Sequence, residues 1–154
     1  MIDRRMMLGM MLSALPVAAC ARPAKADVLT VYKSPTCGCC GAWVKHIQAS
    51  GLQVRVFETE LVGAKAKELG VPDKFRSCHT AEIGGYFIEG HVPADDIRRL
   101  LRERPKALGL SVPGMPIGSP GMEQGGRRET FNTVIVDRTG AARIFHRHNL
   151  QAAR

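Results

Sequence analysis

Three of the five cysteines of this chain fall within four positions, Cys37-Gly38-Cys39-Cys40. An apolar run, Val28 to Tyr32, leads into them as a strand, and Gly41 to Ser50 follows as a helix. At a strand-to-helix turn, free backbone N–H groups and the helix dipole favour negative charge, so the thiols there are expected to ionise more readily than usual. Thiolates gathered this way can do two kinds of chemistry, disulfide exchange or the binding of soft metals.

Cys37 and Cys40 are three apart, so on the first turn of a helix they share a face and form the dithiol of a C-x-x-C oxidoreductase. Cys39 complicates that reading, because a third thiol within exchange distance can divert a mixed disulfide. Metal binding uses all three. Structural zinc usually draws four ligands from two separated pairs, which suits three thiols in four residues poorly. Copper(I) accepts two or three thiolates, and one thiolate can bridge two ions, so the spacing favours copper, bound singly or as a cluster.

Cys78, in Ser77-Cys78-His79-Thr80, completes a four-cysteine set if the chain returns past the first helix; a buried free cysteine is the alternative. His79 can be a ligand, a partner of a ligand or a surface residue. Met115 and Met122 lie in a Pro/Gly loop, where their thioethers are either soft copper(I) ligands or hydrophobic filling. His91 is read as structural or exposed before it is read as a ligand. His146 and His148 alternate on a strand end and share a face, enough for weak divalent-ion binding, but exposure to solvent is the preferred reading. His46 and Trp43 are assigned to packing.

The elements that must position these residues are legible in outline. Leu52 to Phe57 alternates as a second strand, and Leu61 to Leu69 reads as a helix stopped by Gly70-Val71-Pro72. With the first strand and helix this makes a right-handed βαβ unit, which puts the cysteines at the carboxyl end of a strand, where open α/β sheets carry their sites. Ile83 to Glu89 is expected as a third strand and Pro93 to Glu103 as a helix burying Ile97, Leu100 and Leu101. Pro105 to Arg128 is expected to be irregular, and Phe131–Asp137 and Ala141–His146 to form a closing hairpin. The order β-α-β-α-β-α-β-β predicts an α/β, thioredoxin-like sandwich: a mixed sheet with flanking helices and a long Pro/Gly/Met loop.

Residues 1–26 read as an export signal, with Arg4 and Arg5, an apolar stretch from Met6 to Ala19, and small residues after it; residues 27–154 form one domain. Ala24-Lys25-Ala26 fits cleavage before Asp27, and Val17-Ala18-Ala19-Cys20 resembles a lipobox that would attach lipid to Cys20. Soluble release is preferred, so a membrane enters only through Cys20. Cleavage removes four of the 22 basic and one of the 14 acidic residues, and the net charge of +8 becomes +5. That excess serves solubility; Arg98, Arg99, Arg102 and Arg104 lack interleaved aromatics, and no nucleic-acid partner is expected. Four cysteines then remain. Two structural disulfides are disfavoured because adjacent Cys39 and Cys40 pair poorly with each other and a domain of this size folds without staples.

Cys37-Gly38-Cys39-Cys40, Ser77-Cys78-His79-Thr80, Gly90-His91-Val92-Pro93 and the segment from Pro113 to Met122 together resemble the CopG-like family of exported, thioredoxin-like copper-resistance proteins, over about Asp27 to His148. The resemblance implies a periplasmic protein that binds copper through Cys37, Cys39, Cys40 and Cys78 and acts in copper redox conversion; copper ions are the expected partner, and other periplasmic copper-handling proteins are a candidate one. His79, His91, Met115 and Met122 fall in the family's other motifs; His146 and His148 fall outside them. The competing reading is a thiol-disulfide oxidoreductase with Cys37 attacking and Cys40 resolving. Against it stand Cys39 and the lack of a proline just before the Phe131 strand, since thioredoxin-like catalysts place a cis-proline beside the dithiol.

Overall fold

The computed structural model describes residues 27–149; the expected signal segment and the Cys20 alternative lie outside them. Seven strands form one mixed sheet in the order β2-β1-β3-β4-β5-β6-β7. They are β1 (Leu29–Lys33), β2 (Val54–Glu58), β3 (His79–Ile83), β4 (Tyr86–Glu89), β5 (Gly109–Ser111), β6 (Phe131–Val136) and β7 (Ala142–His148). The helices are α1 (Gly38–Ala49), α2 (Val62–Glu68) and α3 (Ala94–Glu103), with a 3-10 turn at Asp73–Phe75. β1 runs parallel to β2 and β4 to β5; the other neighbours are antiparallel.

Side-chain alternation along the strands sorts the core into two layers. Trp43, Val44 and Ile47 of α1 and Ile97 and Leu100 of α3 pack with Leu29, Val31, Ile88, Leu110 and Ile135 on one face of the sheet. Ala66 of α2 packs with Val71, Phe87 and Val136 on the other, Phe87 pointing opposite to its neighbour Ile88. Helices on both faces of a mixed sheet make the expected thioredoxin-like α/β sandwich.

Four expectations are corrected. The third strand is two strands, because Gly84 and Gly85 both adopt positive φ (56° and 84°) and close a tight hairpin between β3 and β4. The region 105–128 contains β5, whose three buried residues bridge β4 and β6. α1 starts three residues earlier than expected, at Gly38, so Cys39 and Cys40 lie within its first turn and Cys37 is its N-cap. The i, i+1, i+4, i+5 spacing of Ala42, Trp43, His46 and Ile47 predicts one buried face, but Ala42 is exposed and the face is Cys40, Trp43, Val44 and Ile47.

Candidate metal centre

The turn Ser34 to Cys37 delivers the chain from β1 into α1. The Cys37 N–H donates to the Ser34 carbonyl, and the first helical bond runs from the Gly41 N–H to the Cys37 carbonyl. No side chain caps the helix and no acidic residue lies in its first turn. The N–H groups after Cys37 thus have no side-chain cap, and a helix N-terminus favours anionic groups such as thiolate. β3 lies antiparallel to β1, with Lys33 opposite His79, and this register carries Cys78, the residue entering β3, back to the cysteine turn.

The four sulfurs of Cys37, Cys39, Cys40 and Cys78 lie within 4.8 Å of one another. Cys37 and Cys40 are joined in a disulfide; Cys39 and Cys78 are free. The Cys39 sulfur stands 3.6 Å from that of Cys37, and the Cys40 sulfur 3.7 Å from the Cys78 carbonyl. Thiolates at about 2.3 Å from one tetrahedral ion stand about 3.8 Å apart, so sulfurs all within 4.8 Å of one another suit a shared metal once the disulfide is opened. The donors are soft, and Cys40 is fully buried.

Cys78 differs from the other three. Burial, with the negative charge of Cys39 behind it, pushes its thiol up to about 12. Cys78 therefore stays protonated until a metal displaces its proton. Its sulfur lies 3.1 Å from His91 Nε2 and 3.4 Å from His79 Nδ1. His91 Nδ1 is 2.8 Å from the Pro120 carbonyl, a bond only Nδ1–H can make, so Nε2 is left to accept from the thiol.

His79 is fully buried between Trp43 (ring centroids 4.3 Å) and His91 (5.1 Å). Burial, aided by the nearby His91, lowers its pKa to about 3, so the ring is neutral and Nδ1 can serve as a ligand. Its Nε2 is buried without a hydrogen-bond partner among the described residues. The structure places His79 beside the cysteines, and His91, read as structural or exposed, is buried and touches Cys78.

The Pro/Gly loop closes over the turn. Gly121, at φ 85°, lies so close to α1 that a Cβ there would fall 2.6 Å from the Trp43 nitrogen and 2.9 Å from the Cys39 carbonyl. Trp43 Nε1–H donates to the Val92 carbonyl, which fixes the segment carrying His91. Of the two methionines, Met122 is half-buried one residue after this contact, and Met115 is 53% exposed. The oxidoreductase comparison is also relocated: the strand beside the dithiol is β3 rather than the Phe131 strand, and the residue entering it is Cys78.

Two solved structures share this architecture. Copper resistance protein CopG, form 2, is 43% identical, with a TM-score of 0.76 over 80% of this chain and 99% of that one. The chain belongs to the CopG family. Form 1 of CopG is 44% identical, with a TM-score of 0.75 over 79% of this chain and 96% of that one. A family model described as "protein of unknown function, DUF411" matches residues 75–122, the span from Cys78 through the loop. No curated protein matches the sequence. CopG membership and a cysteine cluster able to hold a metal together support a copper-related function.

Proposed function

We propose that this protein is a periplasmic copper-binding protein that takes copper as cargo at Cys37, Cys39, Cys40 and Cys78, with capacity governed by the redox state of the Cys37–Cys40 pair. The convergence of four sulfurs within 4.8 Å carries this reading. The relatives are named copper resistance proteins, and soft thiolates suit copper(I) better than hard or borderline ions. Opening the disulfide takes two electrons and two protons from an external dithiol and yields two thiols, which become ligands on losing those protons. Copper held by bridging thiolates supplies a one-electron couple. Within the chain, Cys78 gives up a proton on binding, His91 Nε2 is placed to accept it, and the Gly121 segment packs against the first turn of α1.

Anaerobic copper(I) titration of the reduced chain, followed by metal analysis, tests the proposal. Stoichiometric copper that disappears when all four cysteines become serine is the expected result; full retention in the serine variant overturns it. The disulfide itself favours a second reading, thiol-disulfide oxidoreductase activity, with Cys37 and Cys40 cycling. Metal-free insulin reduction that survives Cys39→Ser would move that reading to first place.

A further inference from the structure

A second group of metal-binding side chains lies away from the cysteines, on α3 and the β6–β7 hairpin. Asp96, in the first turn of α3, is a carboxylate only 2% exposed. Its Oδ1 lies 2.7 Å from His146 Nδ1, and its Oδ2 lies 2.9 Å from His148 Nε2. Oδ2 also accepts a 2.5 Å bond from the Thr133 hydroxyl, which is buried and stands 3.0 Å from His148 Nε2. Opposite residues of an antiparallel pair share a face, and the register sets Thr133 against His146 and Phe131 against His148. A register shift between Thr133 and Val134 re-aims β7 at this point, a usual role for a bulge. The Phe131 ring stacks on His148 at 4.5 Å and holds it in place.

We infer that Asp96, His146 and His148 form a second metal site, one for a divalent transition ion, with copper(II) the tightest occupant. The three donor atoms lie within 4.8 Å of one another. Donors at about 2.1 Å from a tetrahedral ion stand about 3.4 Å apart, so the present hydrogen-bond distances need open by only about half an ångström. Two imidazoles and a carboxylate are borderline-to-hard ligands, which take copper(II) or zinc(II) and leave copper(I) to the thiolates. A divalent charge also compensates the buried carboxylate while both rings stay neutral. The Thr133 hydroxyl orients the carboxylate as an outer partner does in metal sites. The half-exposed His146 side chain leaves a route in and an open coordination position. This site needs no cysteine and stands even if the thiols bind no metal.

The test uses the full chain with Cys20→Ser, Cys39→Ser and Cys78→Ser, oxidised so that the Cys37–Cys40 disulfide leaves no thiol. Titration with copper(II), read by electron paramagnetic resonance, is expected to give one equivalent bound with coupling to two nitrogens. His146→Ala with His148→Ala should abolish that signal, and Thr133→Val should weaken binding by about 10–100-fold. In parallel, zinc(II) added to the oxidised natural chain should shift backbone amide resonances around Asp96, Thr133, His146 and His148. No stoichiometric copper(II) in a folded chain, an unchanged signal in the double histidine variant, or zinc(II) shifts confined to other residues would overturn the inference. In those outcomes the cluster is a hydrogen-bonded support for a buried carboxylate.

Discussion

At the scale of single residues, the cysteine turn was legible because its information is local: three thiols in four positions identify themselves. Partners that depend on where strands meet were not. Asp96 sits in an ordinary first helical turn, and nothing in its neighbours announces that His146 and His148 will meet it 50 positions later. His148, read as exposed, is largely covered for the same reason. Glu89 is another such residue. It is buried opposite Thr80, its Oε1 accepts from the Ser77 N–H at 2.7 Å, and its Oε2 and the Thr80 hydroxyl both lack partners. Burial raises its pKa from 4.5 to about 7, against the pull of the Ser77 bond, the neighbouring Thr80 hydroxyl and the Arg76 charge. The folded protein therefore holds this proton more tightly than the unfolded chain. The associated stability is fully present below about pH 4.5 and is lost as pH rises through about 7, a swing on the order of 3 kcal/mol. Glu89→Gln, which keeps an acceptor for Ser77 and gives Thr80 a donor, should be more stable than the natural chain at pH 8 and close to it at pH 4.5, measured by urea unfolding at both values.

At the scale of elements, helices with a strong apolar period were foreseeable and short strands were not. α3 follows Pro93 and buries Ile97 and Leu100 as its spacing demands. β5 has three residues, too few to show any period, and is a strand only because β4 and β6 flank it. The β3–β4 hairpin did carry a signal in Gly84-Gly85, but the apolar residues from Ile83 to Ile88 masked it as one run. The loop from Val112 to Met122 was read as a loop, yet its seat could not be, because a glycine's need for space shows only when the other wall is in place. Gly121→Ala tests that seat. The added Cβ meets the α1 backbone in a conformation that side chains rarely adopt. Thermal unfolding should show a loss of about 1–3 kcal/mol. Hydrogen exchange should become faster around Trp43 and residues 117–122, while β6 and β7 keep their protection.

At the scale of the whole molecule, the sheet unites two regions that the sequence presents separately: a thiol site on the side of β1, β3 and α1, and an imidazole-carboxylate cluster on the β6–β7 side. The disulfide makes the first depend on the surroundings of the protein and leaves the second independent of them. Samples treated with dithiothreitol and then freed of it should retain more copper(I) than diamide-oxidised samples under identical anaerobic dialysis. Equal retention would mean that Cys37 and Cys40 are not ligands. The placement of the loop has a further result, in the order of folding. The four cysteines of the site occupy positions 37–78, whereas Gly121, which packs on Cys39 and Trp43, arrives about 40 residues after the last of them. A chain is made from its N-terminus at roughly 5–20 residues per second, so the thiols exist for seconds before their cover does. The cysteine turn therefore gains the loop that packs on Cys39 and Trp43 only when the last third of the chain docks.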